Sequence, residues 1–262
     1  MLDELRYLLL AVQFFTRIPV PAWVQRDFRP EQLAGSARYF PVVGWLVGIA
    51  GALAYLGASA VLPPLAGALA GIAATAWLTG AFHEDGLADT ADALGGQRSR
   101  AQALAIMKDS RIGTYGALAL LLTVAAKAAL LADLDIDTGV VAMVAAHALS
   151  RALPVALIAL LPYARDDAEG GTAKPLAERV SGFTVLVALL FGLAPWIAVV
   201  WIDGPALEWL LAPLASALAW LGCWHWFRRR LGGFTGDTLG ACQQLTELAF
   251  YLGLSLQFAG AA

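Results

Sequence analysis

The sequence predicts an all-α fold, a polytopic bundle of membrane-spanning helices. Three observations carry this. Of the 262 residues 60% are hydrophobic and only 14% are charged, whereas soluble domains average about 25% charged. The mean hydropathy is +0.69, so polar surface is too scarce to cover a water-soluble globule. Lys and Arg also recur in alternate gaps between the apolar runs. Helices fit better than a barrel, because each helix satisfies its own backbone in lipid. The alternating segments of about 10 residues that a barrel needs are not visible.

A span of about 30 Å takes roughly 20 helical residues. Seven runs are long enough: 39–62, 65–82, 114–132, 139–161, 183–202, 206–227 and 239–259. Pro63 and Pro64 separate the first two. The acidic turn from Asp133 to Asp137 separates the third and fourth, and Asp203-Gly204-Pro205 the fifth and sixth. The shorter stretch 5–15 reads as an interfacial helix ended by Arg17 and Pro19. Asp3 and Glu4 stand where the basic region of a cleavable signal would be, so none is expected. Cys223 and Cys242 define neither a disulfide framework nor a zinc spacing. With no internal repeat, 1–262 reads as a single integral membrane domain.

The basic residues give the orientation. Arg6, Arg17, Arg26, Arg29 and Arg38 precede the first span. Arg98, Arg100, Lys108 and Arg111 follow the second. Arg165, Lys174 and Arg179 follow the fourth, and Arg228, Arg229 and Arg230 the sixth. Of 17 Lys and Arg, 15 therefore lie on one side, and Lys127 and Arg151 lie within spans. The positive-inside rule puts the N-terminus and these loops in the cytoplasm. Trp224 and Trp226 on that side, and Trp201 and Trp209 on the other, fit interfacial belts.

Three polar loops share the basic side. The first is HEDGLADTADALGG (83–96), with Glu84, Asp85, Asp89 and Asp92 within nine residues. On a helix, Asp92, Asp85 and Asp89 fall at about 80°, 100° and 140° and form one stripe, with Glu84 off to the side. Like charges at these spacings repel, more so beside a low dielectric, and a divalent cation relieves the repulsion. Oxygen ligands without nearby His or Cys favour Mg²⁺ or Mn²⁺ over Zn²⁺. The plain alternative is a solvated acidic loop that caps a helix.

The second loop carries Lys108, Asp109 and Arg111 before Gly113. It reads either as a phosphate-binding group at a helix start or as orienting charge. The third, 232–237, sets Gly232, Gly233 and Gly236 around Asp237. Asp237 reads as an N-cap, a metal ligand or a base. Polar residues inside spans are costly and point to function. Arg151 and Glu247 sit at similar depth, about 15 Å from the basic side. They are expected to line a polar cavity below the acidic motif, with a pair between them as one reading, and Gln243 and Gln244 lie one turn shallower. His147 is expected to be a packing residue. Lys127, nearer the outer end, is expected to snorkel. His83 and His225 receive no role.

These stretches resemble one family. FFTRIPVP (14–21), ARYFPVVGWLVG (37–48), HEDGLADTADALGG (83–96), MKDSRIGTYG (107–116) and GGFTGDTLGACQQLTE (232–247) are similar, in order and spacing, to cobalamin synthases, the adenosylcobinamide-GDP ribazoletransferases. The resemblance implies transfer from adenosylcobinamide-GDP to α-ribazole or its 5′-phosphate. The products would be GMP and adenosylcobalamin or its 5′-phosphate, with Mg²⁺ as the metal. It implies that Glu84, Asp85, Asp89, Asp92, Asp109, Arg111 and Asp237 belong to the site.

On that basis Glu84, Asp85, Asp89 and Asp92 are assigned to the metal, and Asp85, Asp89 and Asp237 to catalysis. Lys108, Asp109, Arg111, Arg151 and Glu247 are assigned to substrate. The expected setting is the bacterial cytoplasmic (inner) membrane. The expected partners are the bilayer and the two substrates, without nucleic acid; homo-oligomerisation is left open. Nothing is assigned in 162–179. One rival is a CDP-alcohol phosphotransferase, against which Asp89 stands where those enzymes carry Arg. Another is a cation-coupled transporter, whose site would sit near mid-membrane.

Overall fold

The computed structural model describes residues 2–26, 28–165 and 180–256. Among them there is no strand; one parallel bridge joins Tyr163 to Phe234. The helices are α1 (Leu2–Phe15), α2 (Pro30–Ser36), α3 (Phe40–Ser59) and α4 (Pro64–Thr79). Next come α5 (Phe82–Leu94), α6 (Arg100–Ile106), α7 (Thr114–Asp133) and α8 (Ile136–Leu160). The last are α9 (Gly182–Asp203), α10 (Leu207–Leu231) and α11 (Gly236–Leu254). This is a polytopic helical membrane protein.

Local signals explain the boundaries. The side chains of Asp135, Ser181 and Thr235 accept backbone N–H groups at the starts of α8, α9 and α11, which satisfies otherwise orphaned donors. Gly232, at φ 69°, ends α10 in the left-handed region, where glycine carries no steric penalty.

Five helices are long and apolar enough to cross a membrane, among the described residues: Gln32–Ser59, α7, α8, most of α9, and α10. α4 adds a sixth only when taken together with α5, from which it is bent by 92°. Seven spans were expected. The seventh is α11, which is a helix but falls outside that apolar set; polar residues such as Gln243, Gln244 and Glu247, all buried, lower its hydropathy. Residues 257–259 of that expected span lie outside the described residues.

α8 is the axis of the bundle. Of its most apolar stretch 83% is buried, against 17% for α9. Leu186, Leu190, Ile197 and Trp201 of α9 are exposed, an apolar face suited to lipid and not to water. Trp209, expected in an interfacial belt, is instead buried against Phe250. Its ring lies edge-on to that of Phe250 on α11, and its backbone carbonyl accepts the Trp196 indole N–H from α9.

α3 lies against α8 through Gly44, Gly48 and Gly51. A Cβ at Gly44 would overlap the His147 carbonyl oxygen, and one at Gly48 would stand 2.8 Å from the Val144 Cα. Small residues let backbones approach this closely in lipid.

The corner between α4 and α5 positions the site. Gly80 (φ 68°) and Ala81 (φ 58°) are both left-handed, a conformation that costs Ala more than Gly. The Arg17 amide donates to the Leu78 carbonyl beside the corner. α5 therefore lies across the end of the bundle. It seats on α11 where Gly86 meets Gly240: a Cβ on Gly86 would stand 2.7 Å from the Asp237 carbonyl oxygen, and one on Gly240 3.2 Å from that of His83.

Replacing Gly44 with Val should destabilise the bundle by about 1–3 kcal/mol through overpacking. The measurement is the thermal unfolding temperature in detergent. A variant as stable as the wild type would show that the α3–α8 approach is not tight.

Candidate active site

α5 forms one wall of an open cleft of about 460 Å³, into which Glu84, Asp85 and Asp89 project. Ser110 and Ile112, from the loop before α7, face them. The 92° corner separates this wall from α4, so the carboxylates lie off the axis of that helix.

Asp89 is half-buried, and its pKa is pushed up to about 7. Burial is the largest cause, followed by the charges of Asp85, Asp237 and Asp92; Arg165 acts in the opposite direction. Asp237 comes from the first turn of α11, brought there by the Gly86–Gly240 contact. Burial raises its pKa, while Arg165 and Thr235 pull it down. Arg165 Nη2 donates to Asp237 Oδ2 at 2.8 Å, and Thr235 Oγ1 donates to the same oxygen at 3.2 Å.

The other two carboxylates of the motif have distinct settings. Glu84 Oε1 accepts from Gln244 Nε2 at 3.2 Å, and Glu84 Oε2 is buried without a hydrogen-bond partner among the described residues. Asp92 turns to α7: its Oδ2 accepts the Gly113 N–H at 2.7 Å and its Oδ1 accepts the Gly116 N–H at 2.9 Å. α7 has no side-chain cap of its own, so Asp92 caps it from a neighbouring helix. Among the described residues no three His, Cys, Asp or Glu side chains form a ready-made metal cage.

The loop 108–113 is brought to the cleft, but two of its charges face each other. Arg111 Nε and Nη2 donate to the Asp109 carboxylate at 3.0 and 2.6 Å. Arg111 holds the Asp109 carboxyl down at about 2, and the arginine side chain is 87% exposed. Lys108 is exposed on the same loop. The loop residues that reach the cleft wall are Ser110 and Ile112.

Below α5 lies a buried polar network. Glu247 pairs with Lys127 at 2.8 Å and not with Arg151, the pairing the sequence left open. Lys127, 2% exposed, does not snorkel. It also donates to Gln244 Oε1 at 2.7 Å. Breaking such a buried pair leaves an uncompensated charge, which explains why the lysine stays inside. Gln243 Nε2 donates to Glu247 Oε2 and Ser150 Oγ. Arg151 Nη1 contacts His147 Nδ1 at 2.9 Å and donates to the His147 carbonyl. The hydrogen-bond path Lys127–Gln244–Glu84 thus runs from the bundle interior to the cleft.

Asp85, Asp89 and Asp237 converge; Glu84 borders them; Asp92 caps α7. Arg111 and Asp109 pair on the rim, and Arg151 and Glu247 sit in the interior network. Sequence reasoning missed Arg165, which offered no signal beyond its positive charge, and Lys127 as the partner of Glu247.

The family model described as Cobalamin-5-phosphate synthase matches residues 7–255. The chain belongs to the cobalamin-5-phosphate synthase family. It is similar to proteins named adenosylcobinamide-GDP ribazoletransferase, which makes the family one of transferases. That of Leptothrix cholodnii is 49% identical over 97% of this chain and 96% of its own. That of Albidiferax ferrireducens is 45% identical over 96% and 98%, and that of Shewanella amazonensis 44% over 97% and 96%. No solved structure matches the chain. In this member of the cobalamin-5-phosphate synthase family, the cleft sits within the matched region.

Asp92→Ala should cost about 0.5–2 kcal/mol, because it removes the cap from the exposed Gly113 amide and the buried Gly116 amide at the start of α7. Thermal unfolding in detergent checks this, and an unchanged midpoint would refute the capping role. Asp89 supplies a pH signature. Its folded pKa, about 7, exceeds the ordinary value of 3.8. Its contribution to stability is therefore complete below about pH 4 and is lost as pH rises through about 7. In metal-free buffer the wild type should lose stability over that window relative to Asp89→Asn, and parallel stability–pH curves would contradict the raised pKa.

Proposed function

We propose that this protein transfers the adenosylcobinamide phosphoryl group from adenosylcobinamide-GDP to α-ribazole or α-ribazole 5′-phosphate. GMP is released, and adenosylcobalamin or its 5′-phosphate is formed, with Mg²⁺ as cofactor. One observation carries the reading: Asp85 and Asp89 of α5 line one cleft, and Asp237 of α11 stands close enough for its charge to act on Asp89, in a chain whose relatives bear that enzyme's name.

The residues fit a hard divalent cation. The donors are oxygens only. Asp89 is crowded by three other carboxylates, and Glu84 Oε2 is buried without a partner. Mg²⁺ often takes one or two protein carboxylates and completes its shell with water and substrate phosphate, so a three-residue cage is not required. Asp85 and Asp89 would hold it, with Glu84 at the edge, while Asp92 stays on α7. When bound, the cation polarises phosphoryl oxygens and stabilises the leaving GMP.

The chain's own groups supply positioning and proton handling. A ribazole hydroxyl attacks the phosphorus nearer the cobinamide arm, and the bond from that phosphorus to the GMP oxygen breaks. Asp237 accepts the hydroxyl proton. Such transfer depends chiefly on orientation and on neutralising charge. The interior charges Lys127 and Glu247 pair with each other, which favours this reading over a cation path. The distribution of Lys and Arg supports a bacterial inner-membrane location with the cleft facing the cytoplasm.

The test is to incubate purified protein with Mg²⁺ and both substrates and to measure GMP. Release should stop with EDTA, and Asp89→Asn should lower turnover at least about a hundredfold while inserting normally in the membrane. Wild-type rates in EDTA or in Asp89→Asn would remove the metal role. Release of CMP from CDP-diacylglycerol would favour the rival phosphotransferase class.

A further inference from the structure

Arg165 follows α8 in a segment tied down at several points. The Ala164 amide donates to the Phe234 carbonyl at 2.8 Å, and the Phe234 amide donates to the Pro162 carbonyl at 2.9 Å. Arg100 donates to the carbonyls of Ala164 and Leu231. The backbone of Arg165 is therefore anchored to the turn that opens α11, the same turn that carries Asp237.

The side chain is 14% exposed, and it makes a single-oxygen contact: Nη2 to Asp237 Oδ2 at 2.8 Å. Its Nε is buried and has no acceptor among the described residues. A guanidinium presents Nε and Nη2 as one edge that binds two oxygens of a carboxylate or phosphate in parallel. Here that edge is half used. Arg111 differs: its Nε and Nη2 both reach Asp109, and the side chain is 87% exposed. Arg165 is the cation whose field reaches both Asp89 and Asp237.

We propose that Arg165 is a phosphate-binding residue of this site, parked on Asp237 in the absence of nucleotide and transferred to phosphoryl oxygens of the donor substrate when it binds. The inference rests on the phosphoryl-transfer reading above. A phosphoryl group offers two oxygens to the Nε–Nη2 edge, which a single Asp237 oxygen does not. The exchange also releases Asp237 from its ion pair, leaving it able to take a proton. Asp237 and the diphosphate thus compete for one guanidinium.

Competition gives a sign that a merely structural ion pair does not. The measurement is equilibrium dialysis of adenosylcobinamide-GDP with Mg²⁺ against wild type, R165M, R165K and D237N in detergent, alongside the KM of each active form for donor and acceptor. R165M should weaken donor binding at least about tenfold and leave the acceptor KM unchanged. R165K, which keeps the charge but not the fork, should fall between R165M and wild type. D237N, which removes the competitor, should bind donor as tightly as wild type or more tightly.

If R165M does not fold, R165K and D237N still give the two opposite signs. Donor binding weakened to a similar degree in the arginine variants and D237N would show a structural pair and overturn the proposal. So would R165M, or R165K in its place, binding donor within about twofold of wild type. A wild type that releases no GMP from the donor refutes the phosphoryl-transfer reading instead, which separates the two failures.

Discussion

The arrangement of charge in this protein depends on one backbone contact, the meeting of Gly86 on α5 with Gly240 on α11. A Cβ at Gly86 would overlap backbone, and one at Gly240 would be tight. Because the two helices approach so closely, Asp85 and Asp89 share a field with Asp237, about 150 residues away in sequence. The left-handed pair Gly80–Ala81 makes this possible: it turns α5 across the end of the bundle. A straight continuation of α4 would carry the carboxylates away from the bundle.

Bringing carboxylates together beside a low dielectric is costly, and the protein offsets this in two ways. Arg165 neutralises Asp237 from one side. From the other, the interior network holds Glu84 through Gln244 and Lys127. That network satisfies most of its own polar groups, as a buried polar cluster must to be stable. The residual imbalance stays with Asp89, which is where a proton or a cation is most favoured.

Much of the fold was legible because lipid restricts the options. Apolar length and the positions of Lys and Arg marked nearly every helix, and the boundaries differ by a few residues. The 92° corner was not legible, since neither Gly80 nor Ala81 reads as a break inside an apolar run. The chemistry of α11 was misread for the opposite reason: its length suggested a span, but its polar residues meet partners on α7 and α8 that periodicity does not reveal. At the site, the stripe of Asp85, Asp89 and Asp92 is real as a helical face. Tertiary contacts nevertheless divide it, turning Asp92 to the amides of Gly113 and Gly116. Arg165 was hidden among orienting charges, because only the Pro162–Phe234 pairing brings it to Asp237.

The two hydrogen bonds that Asp92 accepts from Gly113 and Gly116 also have a topological effect. They cinch the chain excursion between α5 and α7 at its neck, so that its two ends are fixed regardless of its contour. Loop-closure entropy grows only slowly with length. A change of length is therefore absorbed best at the exposed Gln97 and Arg98, between Gly96, whose carbonyl Arg230 holds, and Arg100, which reaches the Leu231 and Ala164 carbonyls, while the carboxylates behind the cinch hold their spacing.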